Sequence, residues 1–147
     1  DPSVAEAYPI ALECINEADV IIACPWDLYT TILPVLIVKE INNAIKKSKA
    51  LKIFIVNVAN KPFETKGYSV TDYINAIKKH LGTFPFNKVI VNNNFTPKIP
   101  KKYDYHYTDL NHAKNNNYNI IKEDIVDESF PLYHNPSKLA KIVVGNI

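Results

Sequence analysis

Three short apolar runs, separated by stretches with helical spacing, constrain this chain more than any other feature. They are Val20-Ile21-Ile22-Ala23-Cys24, Leu51 to Val58 (LKIFIVNV) and Lys88 to Asn92 (KVIVN). A strand covered on one face alternates apolar and polar residues, whereas a near-continuous run marks a strand buried on both faces. Between the runs, apolar residues recur at helical intervals. Pro2 to about Asn16 carries Val4, Ala7, Ile10, Ala11, Cys14 and Ile15, with Ser3 available as N-cap. Leu33 to Lys49 carries Ile37, Ile41 and Ile45 as an inner stripe, and Pro34 suits its first turn. Ser69 to Leu81 is bounded by cap candidates Ser69 and Thr71 and by Gly82 as C-cap. Buried strand alternating with helix predicts an α/β fold, with a mostly parallel sheet and helices on both faces. Asn119 to Ile125 reads as one more strand, and Asn135 to Val144 as a closing helix started by Asn135-Pro136-Ser137. No repeat or linker interrupts the pattern, so residues 1–147 read as a single α/β domain.

In an open parallel sheet, ligands gather beyond the carboxyl ends of the strands. Three loops begin there: Cys24 to Leu33, Asn57 to Tyr68 and Asn92 to Pro100. The first, CPWDLYTTILP, runs into a helix start, where free backbone N–H groups favour an anion and Thr30 and Thr31 offer hydroxyls. Equally, Thr31 can cap the helix while Trp26 and Tyr29 only pack. Asp27 repels a phosphate at that point unless a cation intervenes. In the second loop Asn57 either contacts a substrate or ties the loop down, and Glu64 reads as a general base or a solvated charge. Candidate ligand-binding residues are therefore Cys24, Trp26, Asp27, Tyr29, Thr30, Thr31, Asn57, Glu64 and Thr65. No catalytic residue is assigned.

Composition narrows the rest. A net charge of +2, with lysines scattered apart from pairs such as Lys46-Lys47, Lys78-Lys79 and Lys101-Lys102, argues against a nucleic-acid partner. The apolar runs are far short of a membrane span, and no signal peptide is recognisable, so a cytoplasmic protein without membrane association is expected. Cys14 and Cys24 make neither a disulfide framework nor a zinc site and are expected to be buried free thiols. His80, His106, His112 and His134 lack metal-ligand spacing, and the cluster DYHYTDLNH has no cysteine or helical HExxH arrangement, so no metal site is assigned. Glycine is limited to Gly67, Gly82 and Gly145, and close backbone cradles for phosphate depend on glycine.

At the first two loops the sequence resembles the 2-phospho-L-lactate transferase / gluconeogenesis-factor superfamily. Leu28, Tyr29, Thr30, Ile32, Leu33 and Pro34 match the family pattern GPGSLYTSILP. Asn57, Pro62, Glu64, Thr65, Gly67, Tyr68 and Ser69 match NLMTQPGETDGYS, and HNPSKLAKIV from His134 to Val143 resembles its closing HDP-x-KLA helix. The similarity runs from about residue 6 to 144 and is to the C-terminal half of the family fold. Where the family has Gly-Pro-Gly-Ser, this chain has Cys24-Pro25-Trp26-Asp27; Lys61 and Phe63 replace the glutamine and glycine of QPGET.

The resemblance implies a Rossmann-like three-layer sandwich that binds phosphorylated ligands. One branch transfers a phospholactyl group using a divalent metal; the other regulates carbon metabolism and takes nucleotide sugars. The loop wording leans to the regulatory branch, so the expected function is binding of a phosphorylated small molecule such as a nucleotide sugar, regulatory rather than catalytic. The alternatives are a transferase-like enzyme, which would bring magnesium as cofactor, and a degenerate interaction homologue whose pocket Trp26 and Asp27 have closed. Full members of the family are longer, so a homodimer or a separate N-terminal half is the expected partner at an open sheet edge.

Overall fold

The computed structural model describes residues 5–111 and 118–147. Ser3, Val4 and His112, used above as helix start and histidine candidate, lie outside the described residues.

Four strands form a parallel sheet: β1 (Val20–Ala23), β2 (Leu51–Ile55), β4 (Lys88–Asn92) and β6 (Asn119–Glu123), in the order β1-β2-β4-β6. Two shorter strands, β3 (Ala59–Asn60) and β5 (His106–Tyr107), make an antiparallel ribbon over its carboxyl end. The helices are α1 (Pro9–Glu17), α2 (Leu33–Leu36, continuing a π-helical turn Leu28–Ile32), α3 (Lys39–Lys47), α4 (Val70–Leu81) and α5 (Pro136–Val144). No helix among the described residues is long and apolar enough to cross a membrane.

Side chains alternate across β2 and so build two cores. Phe54 and Val56 point into the first, with Leu28, Leu33, Leu36 and Ile45 from α2, α3 and the turn before them, Tyr73 and Ile77 from α4, and Phe86. Ile53 and Ile55 point into the second, where Ile90, Ile125 and Val126 meet Leu139, Ile142 and Val143 of α5. Helices thus cover both faces, and the architecture is the expected three-layer α/β sandwich. Phe54 is fully buried and stands edge-on to Phe84 and tilted against Phe86 and Tyr73.

Local signals set the helix ends. Ser69 accepts from Asp72 N and the Asp72 carboxylate accepts from Ser69 N, a reciprocal capping box that fixes the start of α4. Gly82 ends it at φ 76°, a left-handed conformation that favours glycine. Asn135 caps α5 through Lys138 N.

Four expectations need correction. The first helix starts at Pro9 rather than near Pro2, since Pro9 has a fixed φ suited to a first turn and Tyr8 before it is extended. The second helix is two, because Val38 is extended (φ −60°, ψ 120°); Ile37 is consequently 53% exposed instead of part of an inner stripe. β1 is not buried on both faces: it is the outermost strand, and Ile22 is 37% exposed. Cys14 and Cys24, expected to be buried, are both exposed, because α1 and the end of β1 stand at that open edge.

Phe54 carries the packing of β2 against α4, so Phe54→Ala should cost about 3–5 kcal/mol through lost burial and the cavity left behind. Urea denaturation followed by circular dichroism checks this, with the midpoint falling and the slope unchanged.

Candidate functional site

The carboxyl ends of β1 and β2 open on a cleft with two lobes. One, about 550 Å³, is lined by Asp27, Tyr29, Thr30, Lys61 to Glu64, Tyr103 and Tyr105. The other, about 260 Å³, is lined by Pro25 to Asp27, Asn57, Ala59, Lys61, Tyr105 and Leu132 to His134. Asp27, Lys61 and Tyr105 belong to both and mark the junction.

Two loops that leave adjacent strands are fastened to each other here. Asn57 Nδ2 donates to Trp26 O (3.1 Å), and Thr108 Oγ1 donates to Asn57 O (2.7 Å), so Asn57 ties its loop to its neighbours. Glu64 Oε1 accepts from Tyr29 N (2.9 Å) and Thr30 N (3.3 Å). Those are the N–H groups at the helix start where the sequence suggested an external anion. Thr31 N and Ile32 N donate back to Asp27 O. The local positive end of the helix is therefore met by a carboxylate from the same chain, and Glu64 acts as a cap supplied across loops. Thr31 caps nothing; it is exposed on the far side of the turn.

Lys61 Nζ and Asp27 Oδ1 form an ion pair, and this hydrogen bond is the main reason the Lys61 ammonium sits above its ordinary pKa. Both residues depart from the family wording, and they compensate each other: the carboxylate that would repel a phosphate is paired with a cation. Thr65 lies beneath the cleft rather than in it. It is fully buried, accepts from Lys61 N (3.3 Å) and stands 3.2 Å from Tyr73 Oη, while Tyr73 Oη donates to Asn60 Oδ1 (2.9 Å). Burial pushes the Tyr73 phenol up to about 12, so it remains a donor in this network. Tyr29 Oη and Tyr68 Oη are 2.8 Å apart, and that bond raises Tyr68 to about 12.

Of the residues singled out from sequence, Trp26, Asp27, Tyr29, Thr30, Asn57 and Glu64 meet around the cleft. Cys24 and Thr31 stand outside it, on an apolar trench shared with Trp26. Sequence reasoning missed Lys61, Tyr105 and His134 as cleft residues. Tyr105 arrives on the β3–β5 ribbon, whose two-residue strands carry no readable periodicity. His134 Nε2 donates to Val56 O (3.0 Å), and burial lowers its pKa.

A divalent metal does not fit between these carboxylates. Glu64 Oε1 is held by two backbone N–H groups, which leaves only its buried Oε2 without a partner, and Asp27 is paired with an ammonium that would repel a dication. Among the described residues no group of three or more His, Cys, Asp or Glu is arranged to hold a metal ion.

Two outcomes test this geometry. Glu64→Ala should destabilise the fold by about 1–2 kcal/mol by orphaning two N–H groups, whereas Glu64→Gln, which keeps an acceptor, should lose less than half of that. Chemical denaturation of both variants decides it. His134 is the second. With its folded pKa below the ordinary 6.5, the unfolded chain binds the proton first, so stability present above 6.5 should fall as pH drops through that value. His134→Gln should flatten this part of the stability–pH curve.

Comparison with known proteins identifies the family and agrees with the fold. The family model described as 2-phospho-L-lactate transferase CofD matches residues 1–126. A Clostridium acetobutylicum protein of the gluconeogenesis-factor group is 36% identical over 154 residues, spanning 100% of this chain and 34% of its own. The gluconeogenesis factor of Bacillus subtilis is 31% identical over 150 residues, spanning 97% of this chain and 47% of its own. Two crystal structures of a UPF0052 family member from Bacillus halodurans superpose with TM-scores of 0.83 and 0.86 at 29% and 31% identity, each covering 97% of this chain and 48% of the solved one. The chain spans about half or less of the length of these relatives. In sequence and in fold, it belongs to the 2-phospho-L-lactate transferase CofD / gluconeogenesis-factor (UPF0052) family.

Proposed function

We propose that the cleft binds a phosphorylated small molecule of the nucleotide-sugar class and that the protein acts by binding it rather than converting it. The observation that carries this reading is the position of Lys61. Its ammonium stands where the two lobes meet and is only half-withdrawn by Asp27, with 38% of its side chain exposed. A phosphate entering at the junction competes with Asp27 for that cation, and a charge-assisted bond to phosphate is among the stronger polar contacts available.

The flanking lobes suit the rest of such a ligand. Tyr103, Tyr105 and Phe63 offer flat apolar surface on one side, and Trp26 and Tyr133 on the other. Asp27 and the tyrosine hydroxyls are partners for sugar hydroxyls. Apolar walls with a few placed polar groups, at the carboxyl end of a parallel sheet, are the usual make-up of a small-molecule site.

Binding without turnover is favoured by what the carboxylates already do. Glu64 holds a helix start and Asp27 holds Lys61, so each is tied to a structural partner in the resting state. The name of the Bacillus subtilis relative, gluconeogenesis factor, supports a regulatory rather than a catalytic role. The family model's name supports the transferase reading, which the magnesium arm of the same experiment separates.

A thermal-shift titration with uridine and guanosine diphosphate sugars, with and without magnesium, tests the proposal. A saturable rise in Tm is expected, since a ligand that binds only the native state stabilises it by about 2.7 kcal/mol at a hundred times Kd. Lys61→Ala should weaken binding by about tenfold or more, equivalent to about 1.4 kcal/mol. No shift with the natural chain but a shift with Trp26→Gly would mean a pocket blocked by the indole, and a shift that requires magnesium would favour the transferase.

A further inference from the structure

His134 stands in the wall of the smaller lobe, and the chain has already fixed its ring. The backbone is held on both sides: His134 bridges to Val126, and Asn135 N donates to Ile125 O (2.8 Å). The carbonyl of Val56, a fully buried residue, can only accept, so the 3.0 Å bond from Nε2 places a proton on that nitrogen. Burial holds the imidazole below its ordinary pKa, so the ring is neutral at pH 7 and its single N–H is spent on Val56. Nδ1 is then a bare acceptor. Among the described residues no group is hydrogen-bonded to it. Nor is it sealed: the buried polar atoms without a partner lie on Glu40, Asn42, Glu64 and Asp124. His134 therefore presents a fixed lone pair to the lobe it lines.

The rest of the small lobe has the same bias. Asp27 brings a carboxylate to it, and Asn57 has spent an amide hydrogen on Trp26 O. Lys61 stands at the junction and faces Asp27. Trp26 and Tyr133, 65% and 63% exposed, add ring faces. An occupant that reaches past Lys61 must bring hydrogen-bond donors and no negative charge. Pyranose hydroxyls meet that demand, and the C–H faces of a sugar lie well on aromatic rings. A nucleobase edge carries acceptors beside its donors, and these would oppose Asp27 and Nδ1. The larger lobe, with Phe63, Tyr103 and Tyr105, offers a base flat surface instead.

We propose that the smaller lobe is the sugar subsite of the cleft and that His134 Nδ1 accepts a hydrogen bond from a pyranose hydroxyl there. The inference rests on the nucleotide-sugar reading and gives that ligand a direction: phosphate at Lys61, base toward Tyr103, sugar between Trp26 and Tyr133. His134 then sets specificity, because a diphosphate without its sugar leaves Nδ1 to water.

Two substitutions separate the two nitrogens. In His134→Gln the amide can still donate to Val56 O but no acceptor stands where Nδ1 was; in His134→Asn an acceptor is kept there and the bond to Val56 is lost. Calorimetric titrations with uridine and guanosine diphosphate sugars and with the matching diphosphates measure what the sugar adds to affinity. His134→Gln should weaken binding of the sugar-bearing ligand by about fivefold or more and of the diphosphate by less than about twofold. His134→Asn should lower the denaturation midpoint yet keep most of the sugar's advantage. Nitrogen-15 NMR of the natural chain gives the direct reading, since Nδ1 moves upfield when it accepts a hydrogen bond. The same spectrum is recorded with hexose 1-phosphates. An undiminished sugar advantage in His134→Gln, or an equal loss for both ligands, overturns the proposal. Nucleotide sugars that bind without moving Nδ1 overturn it while leaving the broader reading intact. An Nδ1 shift with hexose 1-phosphates, in a chain that binds no diphosphate, keeps the sugar subsite and removes the nucleotide. No binding and no shift with any of these probes removes both.

Discussion

Everything in this molecule follows from one demand: a parallel sheet has no face it can leave to water. Its strands are joined by crossovers that lay helices on the sheet, and β2, next to the centre, must satisfy apolar packing on both sides at once. Phe54 and Val56 answer on one side, Ile53 and Ile55 on the other. The same demand places the strand ends together. Once β1 and β2 are parallel and adjacent, with Val20 opposite Leu51 and Ala23 opposite Phe54, the loops that follow them emerge side by side. The cleft exists because of that register.

What holds the cleft in shape is a set of bonds between loops rather than within them. Asn57 reaches Trp26 O, Glu64 reaches the N–H groups of Tyr29 and Thr30, and Lys61 meets Asp27. Beneath them Thr65, Tyr73, Asn60 and Thr108 exchange hydrogen bonds out of contact with solvent. A buried polar network of this kind is stable only when its members are satisfied, and it fixes one arrangement of the loop above it. The family's glycines give backbone close approach to a ligand; here Trp26 and Phe63 stand in their places, 65% and 100% exposed. Rings this exposed stand at the mouth of the cleft rather than in the network beneath it.

The legible part of the fold was the part governed by local chemistry. Ser69 with Asp72 and Gly82 announce α4, and Asn135-Pro136 announces α5, because caps depend on neighbours a few residues apart. Two-sided burial of β2 and β4 was equally readable from LKIFIVNV and KVIVN. The same reading failed for β1, since an apolar run reports a need for cover and not whether the cover is present. Cys14 and Cys24 were misjudged for the same reason. At the cleft, Trp26, Asp27, Asn57 and Glu64 could be named from their positions after strands. Lys61 could not: its importance comes from Asp27, thirty-four positions away, and nothing local couples them. Tyr105 needed the β3–β5 pairing, which two-residue strands do not signal.

The error at β1 is informative in its own right. A sequence written for two-sided burial that is found at an exposed edge is in conflict with its surroundings, and natural sequences seldom leave such conflicts without compensation. At β6 the compensation is visible as charge. At β1 no such charge stands on the strand: it is apolar, the helix beside it has no fully buried residue, and an apolar trench lined by both also touches Trp26. That indole also lines the cleft, so a change at the edge bears on it. An energetic link between edge and cleft then requires no long pathway. One side chain touches both, and a change in its freedom at one is felt directly at the other.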